Sequence, residues 1–325
     1  MSVLITGGAG YIGSTLIKRL VETGYHVISI DNLFRGSYEH LKTYERSGGA
    51  RLLIGDIRDF EVLERTVKNT ENIDIIFHLA AIPGVDMCRR MPERAILTNV
   101  YGSYNVLEVA RKHDIDRVVF TSSAAVYGDP IELPVRETHP TMPKNLYGIT
   151  KLAAEDMFMS YYELYGLCTV VLRLANVYGL GLFTYWKNVV PKFVRQALEG
   201  EPLTVYWTGK QTRDFIHVED VVSALELVMR ADKKAISGEV FNVATGRPVA
   251  INEVAGIVRE LVEKTHGISV SIKHVPLPEG RSETLIPGFC LSIEKIRNKL
   301  GFNPSWTLEA GISQLISYYC NLRSV

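Results

Sequence analysis

No charge of either sign predominates in this sequence: 36 lysines and arginines are matched by 36 aspartates and glutamates, for a formal net charge of zero. No long-range field therefore draws in nucleic acid or an anionic membrane, and neither is expected as a partner, although a local basic pocket for a phosphate stays open. Cysteine is scarce. Cys88, Cys168, Cys290 and Cys320 lie far apart and form no CxxC pair. This argues against a zinc site and against a disulfide framework, so no metal is expected and a reducing cytoplasm is the expected compartment. Also missing are any apolar run of membrane-spanning length and any basic leader with a cleavage site ahead of the first strand. What remains is 325 residues, 46% apolar and 22% charged. That is the composition of a soluble globular protein, long enough for one large domain or two ordinary ones.

From Ser2 to about Ser123, short β-branched runs alternate with amphipathic stretches. VLIT (Val3–Thr6), HVISID (His26–Asp31), RLLI (Arg51–Ile54), IDIIFHL (Ile73–Leu79) and RVVFTSS (Arg117–Ser123) read as strands, and TVVLRL (Thr169–Leu174) as a sixth. Strands apolar throughout are covered on both faces, as in a parallel sheet. The expected fold class is therefore α/β, a Rossmann doubly wound parallel sheet. After Asn176 the pattern loosens into loops and short elements, read as a smaller, mixed α/β C-terminal substrate domain. The division expected is 1–175 for the Rossmann domain and 176–325 for the second. The helical run VVSALELVM (Val221–Met229) and the strand VFNVA (Val240–Ala244) suggest that parts of 214–245 return to the first.

Residues 7 to 13 read GGAGYIG, between a strand and a helix. Glycines there allow a tight turn, bring backbone N–H groups against a pyrophosphate, and let the helix pack close to the strand. Asp31 ends the next strand at the spacing of roughly 20 residues expected of a ribose-binding acid. A carboxylate at that point accepts from a ribose 2′-hydroxyl and repels a 2′-phosphate, which favours NAD over NADP. Arg35, the residue that would weigh the other way, reads as a solvated loop arginine. Further along, YGITK places Tyr147 and Lys151 four residues apart, on one face of a helix. An ammonium near a phenol favours the phenolate, so Tyr147 becomes a candidate base. TSSAAVYG (Thr121–Gly128) leaves the end of the fifth strand, where open α/β sheets place their ligands, and brings Ser123 to the same side.

With GDIRD, FHLAA, TNVYGSYNVLEVAR, LRLANVYG and TRDFIHVEDVV added in order, the chain resembles the extended short-chain dehydrogenase/reductase family. Within it the chain is similar to the NAD-dependent epimerase/dehydratase type, and to the nucleotide-sugar 4-epimerases of the UDP-glucose 4-epimerase kind. The resemblance implies that Tyr147 is general base and acid, that Lys151 holds the nicotinamide ribose, and that Ser123 bonds the substrate hydroxyl. It implies cofactor contacts from Gly7, Gly10, Tyr11, Ile12 and Gly13 in the turn and from Asp31 and Asn32 at the ribose. Asp56 and Ile57 would flank the adenine, while Leu79, Ala80, Ala81, Asn99 and Ser122 would line the cleft. For the substrate it implies Ser123, Tyr147, Asn176, and Arg213 on the diphosphate, with a looser match for Arg281 and Glu283. A surface ion pair of Arg213 with Asp214 or Glu219 is the alternative there.

Members of this family share oxidation at C4 of the sugar and differ in the steps after it. Dehydratases carry an Asp-Glu pair, and decarboxylases commonly a glutamate, where this chain has Ala124 and Ala125; 3,5-epimerases carry a cysteine in the same segment, and none is present here. The resemblance thus implies the simplest cycle, a UDP-glucose/UDP-galactose 4-epimerase with tightly bound NAD and a UDP-sugar substrate. Epimerisation of UDP-N-acetylhexosamine or UDP-glucuronate, another nucleotide-sugar epimerase or reductase, and a non-catalytic NAD sensor stay open as alternatives. The aromatic loop GLGLFTYWKN (Gly179–Asn188) reads equally as lid packing or as sugar stacking. Cys88, near the cleft, reads as a buried structural thiol. A homodimer through the helices around Asn99–Ala110 and Tyr147–Tyr165 is the expected assembly.

Overall fold

The computed structural model describes residues 2–70, 72–277 and 286–323. In chain order the strands are β1 (Ser2–Thr6), β2 (His26–Asp31), β3 (Ala50–Ile54), β4 (Ile73–His78), β5 (Arg117–Ser123) and β6 (Cys168–Leu174). The second half adds β7 (Asn176–Tyr178), β8 (Leu203–Tyr206), β9 (Thr212–His217), β10 (Glu239–Val243), β11 (Pro248–Ala250) and β12 (Ile272–Val275). Seven of them form one sheet in the order β10-β6-β5-β4-β1-β2-β3, and every neighbouring pair is parallel. This is the doubly wound Rossmann arrangement expected from the apolar strands.

Alternate residues of each strand serve opposite faces. Along β1, Val3 and Ile5 join Leu16, Ile17 and Leu20 of the Tyr11–Glu22 helix in one core, while Leu4 joins the other with Phe120 and Phe158. Full burial of each such Leu, Ile or Phe is worth about 1.5–3 kcal/mol, which explains why apolar residues fill the middle of these strands. The chain steps outward from β1 through β2 to β3, then crosses back to β4 on the other side of β1. The reversal opens a crevice at the carboxyl ends of β1 and β4.

The seventh place in the sheet is filled from the second half of the chain, by β10 pairing with β6. The helix Val218–Arg230 also returns, and Arg19 of the first helix reaches its Glu219 (2.6 Å) and Glu226 (3.2 Å). The rest of the second half builds a lobe at the carboxyl end of the sheet. It contains a mixed sheet, β11-β9-β7, and a parallel pair, β8 with β12. The helices Val189–Leu198, Ile251–His266 and Leu308–Arg323 pack around them. Within the first lobe, a buried Arg173–Glu155 pair (2.7 Å) ties β6 to the helix Leu146–Tyr165. Among the described residues no helix is long and apolar enough to cross a membrane.

Candidate active site

The crevice between the lobes holds a cleft of about 850 Å³. Its floor is the glycine turn. Gly7 sits at φ 78°, and a Cβ there would come within 2.6 Å of the Ala80 nitrogen; one on Gly13 would meet the Gly7 carbonyl oxygen at 2.3 Å. Only glycine lets the strand, turn and helix close up in this way. Gly10 begins the Tyr11–Glu22 helix with no side-chain cap and no acid in the first turn. The first helical N–H groups and the positive end of the helix dipole therefore face the cleft, as a diphosphate requires. At the end of β2, Asp31 accepts from the Ala9 N–H (3.1 Å) and the Leu33 N–H (2.8 Å), and burial raises its carboxyl above the usual range. Two buried hydroxyls on the cleft side, Ser122 Oγ and Thr98 Oγ1, have no partner among the described residues. The turn, the ribose-side acid and these unpaired hydroxyls fit a dinucleotide.

At the other end of the cleft, β5 delivers Ser123 and the first turn of the helix Leu146–Tyr165 delivers Tyr147. Asn145 caps that helix by accepting the Gly148 N–H (2.9 Å). A Cβ on Gly148 would lie 2.5 Å from the Ala125 carbonyl, so the glycine allows the helix to press against the segment after β5. That approach puts the Tyr147 phenol beside Ser123 on the cleft wall. Burial pushes the phenol up to about 12, partly offset by the Ser123 bond. Lys151 lies buried one turn on and donates to the Thr121 carbonyl (2.8 Å); burial brings its ammonium down to about 8. In the cofactor-free chain burial dominates at Tyr147 and raises its phenol.

Most of the expected residues line the cleft: Gly7, Gly10, Tyr11, Ile12, Gly13, Asp31, Asn32, Ile57, Leu79, Ala80, Ala81, Ser122, Ser123, Tyr147 and Asn176. Others stand behind the wall. Asn99 sits on a π-turn (Leu97–Tyr101) that turns it inward, where it bonds the Ile82 N–H (2.7 Å), the Ile82 carbonyl (3.2 Å) and Thr150 Oγ1 (3.0 Å). Asp56 is claimed by Arg58 (2.7 Å) and Asn32 (2.8 Å); against the upward push of burial, those bonds hold it down to about 2. Tyr11 lines the cleft with its ring only, since its hydroxyl donates to the Gly179 carbonyl (2.6 Å). Arg213 is not on the cleft wall: its guanidinium donates to the carbonyls of Thr212 (2.7 Å) and Ile286 (3.0 Å). Asp214 is occupied by the N–H groups of Thr245 and Gly246, and Glu219 by Arg19. Arg281 and Glu283 lie outside the described residues.

Sequence reasoning passed over Thr98, Phe34, Ile82 and Met87, which also line the cleft. Thr98 carried a signal, as the neighbour of Asn99; the others are apolar residues whose place depends on the folding of distant segments. Arg35 departs from its expected place in solvent: half-buried at the cleft, it lies 4.1 Å from the Tyr185 ring. The aromatic loop divides its work. Phe183 and Tyr185 face the cleft, whereas Trp186 packs on Tyr319 of the last helix (4.9 Å). Cys88 is buried, donates to the Ile82 carbonyl (3.3 Å), and burial raises its thiol to about 11.

Residues 3–244 match the family described as NAD dependent epimerase/dehydratase. This chain belongs to that family. NAD is accordingly its cofactor, in keeping with the glycine turn and Asp31. Members similar to it include a putative UDP-glucose 4-epimerase of Methanocaldococcus jannaschii, 32% identical with 98% of each chain covered. A dTDP-D-glucose 4,6-dehydratase of Bos taurus is likewise 32% identical, covering 98% of this chain and 88% of its own. Among solved structures, UDP-glucose 4-epimerase of Thermotoga maritima with UDP-glucose aligns at a TM-score of 0.88 and 32% identity, over 99% of this chain and all (100%) of its own. The family thus spans epimerases and dehydratases that share this fold.

Proposed function

We propose that the protein is a nucleotide-sugar 4-epimerase that interconverts UDP-glucose and UDP-galactose through a 4-keto intermediate. The observation that carries this reading is the segment after Ser123. There Ala124 and Ala125 stand beside the catalytic pair, and the Ala125 N–H donates to Ser123 Oγ (3.2 Å). Among the described residues only Asp31 and Asp86 bring carboxylates to the cleft, and both already accept hydrogen bonds. A dehydratase needs an acid to protonate a departing hydroxyl, and this segment offers none. Tyr147 can remove the C4-hydroxyl proton and return it, with Ser123 holding the same oxygen; Lys151, which holds the Thr121 carbonyl behind the cleft wall, would reach the cofactor ribose in this reading. NAD supplies the acceptor, and then the donor, of hydride. Asn176 contacts the sugar, and Arg213, with Arg281, pairs with the diphosphate in this reading; Arg213 would have to turn from the carbonyls it holds.

The test is a panel of UDP-, GDP- and dTDP-sugars incubated with the purified protein without added NAD, with products separated by chromatography. Conversion of UDP-glucose to its 4-epimer supports the proposal. A 4-keto-6-deoxy product, loss of CO2 from a uronate, or stoichiometric release of NADH would replace it.

We further propose that the protein works as a homodimer. Leu97, Tyr101 and Tyr104 recur at helical spacing on one helix, and its neighbour, Leu146–Tyr165, exposes Ile149, Tyr162, Leu164 and Tyr165. Exposed apolar side chains on two adjacent helices suit a second copy of the chain across a two-fold axis.

A further inference from the structure

The glycine turn is flanked by two segments that neither the phosphate motif nor the catalytic set accounts for. On one side, the residues after β2 lie directly on the turn. A Cβ on Gly36 would stand 2.1 Å from the Ala9 carbonyl oxygen, which also accepts the Ser37 N–H (3.3 Å). On the other side, the aromatic loop of the second lobe starts on the first residue of the phosphate helix. The Tyr11 hydroxyl donates to the Gly179 carbonyl (2.6 Å), and a Cβ on Gly181 would touch the Tyr11 ring at 2.8 Å. The two segments meet across the cleft where the Arg35 guanidinium stacks on Tyr185, 4.1 Å from the ring centroid. Both residues line the cleft.

Arg35 is half-buried, and burial lowers its pKa. Among the described residues no carboxylate forms an ion pair with it. A partly desolvated guanidinium without a counter-charge is costly, and an aromatic face offsets only part of that cost. An anion at the turn would offset the rest, and a guanidinium suits a phosphate through paired N–H groups. Two phosphates are conceivable, the diphosphate of the cofactor and the 2′-phosphate of NADP. Asp31 stands at the end of β2, where its carboxylate repels the second.

We propose that Arg35, held in place by Tyr185, is a ligand of the cofactor diphosphate, and that this contact fastens the Gly179–Asn188 loop over the glycine turn so that the cofactor is retained. The inference rests on the reading of NAD as a carrier kept through turnover. It is tested without sugar, by loading the protein with NADH and following loss of bound-nucleotide fluorescence on dilution. The wild-type rate tests retention itself; the ratio of variant to wild-type tests Arg35. Loss of one charge-assisted contact is worth about 10- to 100-fold in release rate. Arg35→Gln is expected to speed release by about that factor, Tyr185→Leu by about 10-fold, and Tyr185→Phe, which keeps the stack, by no more than about twofold. If folded Arg35→Gln releases NADH at the wild-type rate, the proposal fails. If wild-type binds NADPH more tightly than NADH and Arg35→Gln loses only that preference, Arg35 reads the 2′-phosphate and the proposal is overturned.

Discussion

Tyr147 meets its work in an unfavourable electrostatic setting. Burial holds its phenol at about 12, so in the cofactor-free protein it stays protonated at neutral pH, beside Ser123. Its removal from the reaction should cost what a positioned acid–base group contributes, about 10²- to 10⁴-fold in kcat. Tyr147→Phe is expected to show that loss while retaining its NAD, measured by steady-state epimerisation and by nucleotide content after gel filtration. Lys151 titrates in a usable range. Its ammonium is depressed by burial to about 8, below the ordinary value for lysine, so the folded protein loses this charge as pH rises through that point. A ribose contact donated by the ammonium should therefore weaken on the alkaline side. NADH affinity is expected to fall from about pH 7 to about pH 9, and Lys151→Met to bind weakly with no dependence in that window; fluorescence titration across it decides. Ser123, Tyr147 and Lys151 were readable because spacing within one helix and one strand end sets their geometry. Arg35 was not, since it owes its place to Tyr185, remote in the chain.

Among the elements, the glycine turn has little room for change. An alanine at Gly13 would push its Cβ to 2.3 Å from the Gly7 carbonyl oxygen, backbone that cannot move aside without shifting β1 or the helix. Gly13→Ala is expected to cost about 1–3 kcal/mol of stability and to empty the site of NAD, read by chemical denaturation and by the absorbance of released nucleotide. Gly10→Ala is the companion: its Cβ would meet only the Gly7 oxygen, at 3.3 Å, so it should spare folding and weaken the cofactor. At this scale the parallel strands were legible, because burial on both faces imposes apolar runs. The π-turn at Leu97–Tyr101 was not, and it moved Asn99 from the cleft wall to a post behind it. Short β7 and β11 carry too few residues for a periodicity to show.

For the molecule as a whole, the exposed apolar residues of the helix Leu146–Tyr165 make a prediction about assembly. Leu164 is 72% exposed and its substitution creates no cavity. Leu164→Asp is expected to halve the sedimentation mass of a dimer while leaving the fold's circular dichroism unchanged; an unaltered mass would place the interface elsewhere. What the sequence determined without help was local: the glycine turn, an acid at the end of β2, the Tyr-x-x-x-Lys spacing on one helix, and strands whose two buried faces favour apolar runs. Only the tertiary structure decided that β10 closes the first sheet, that Arg213 is held by backbone carbonyls, and that Arg35 meets Tyr185 over the cofactor turn. The reason is physical. Spacing along one element is set by 3.6- and 2-residue repeats, whereas contacts between segments 150 residues apart (Arg35 and Tyr185) depend on packing that no local repeat encodes.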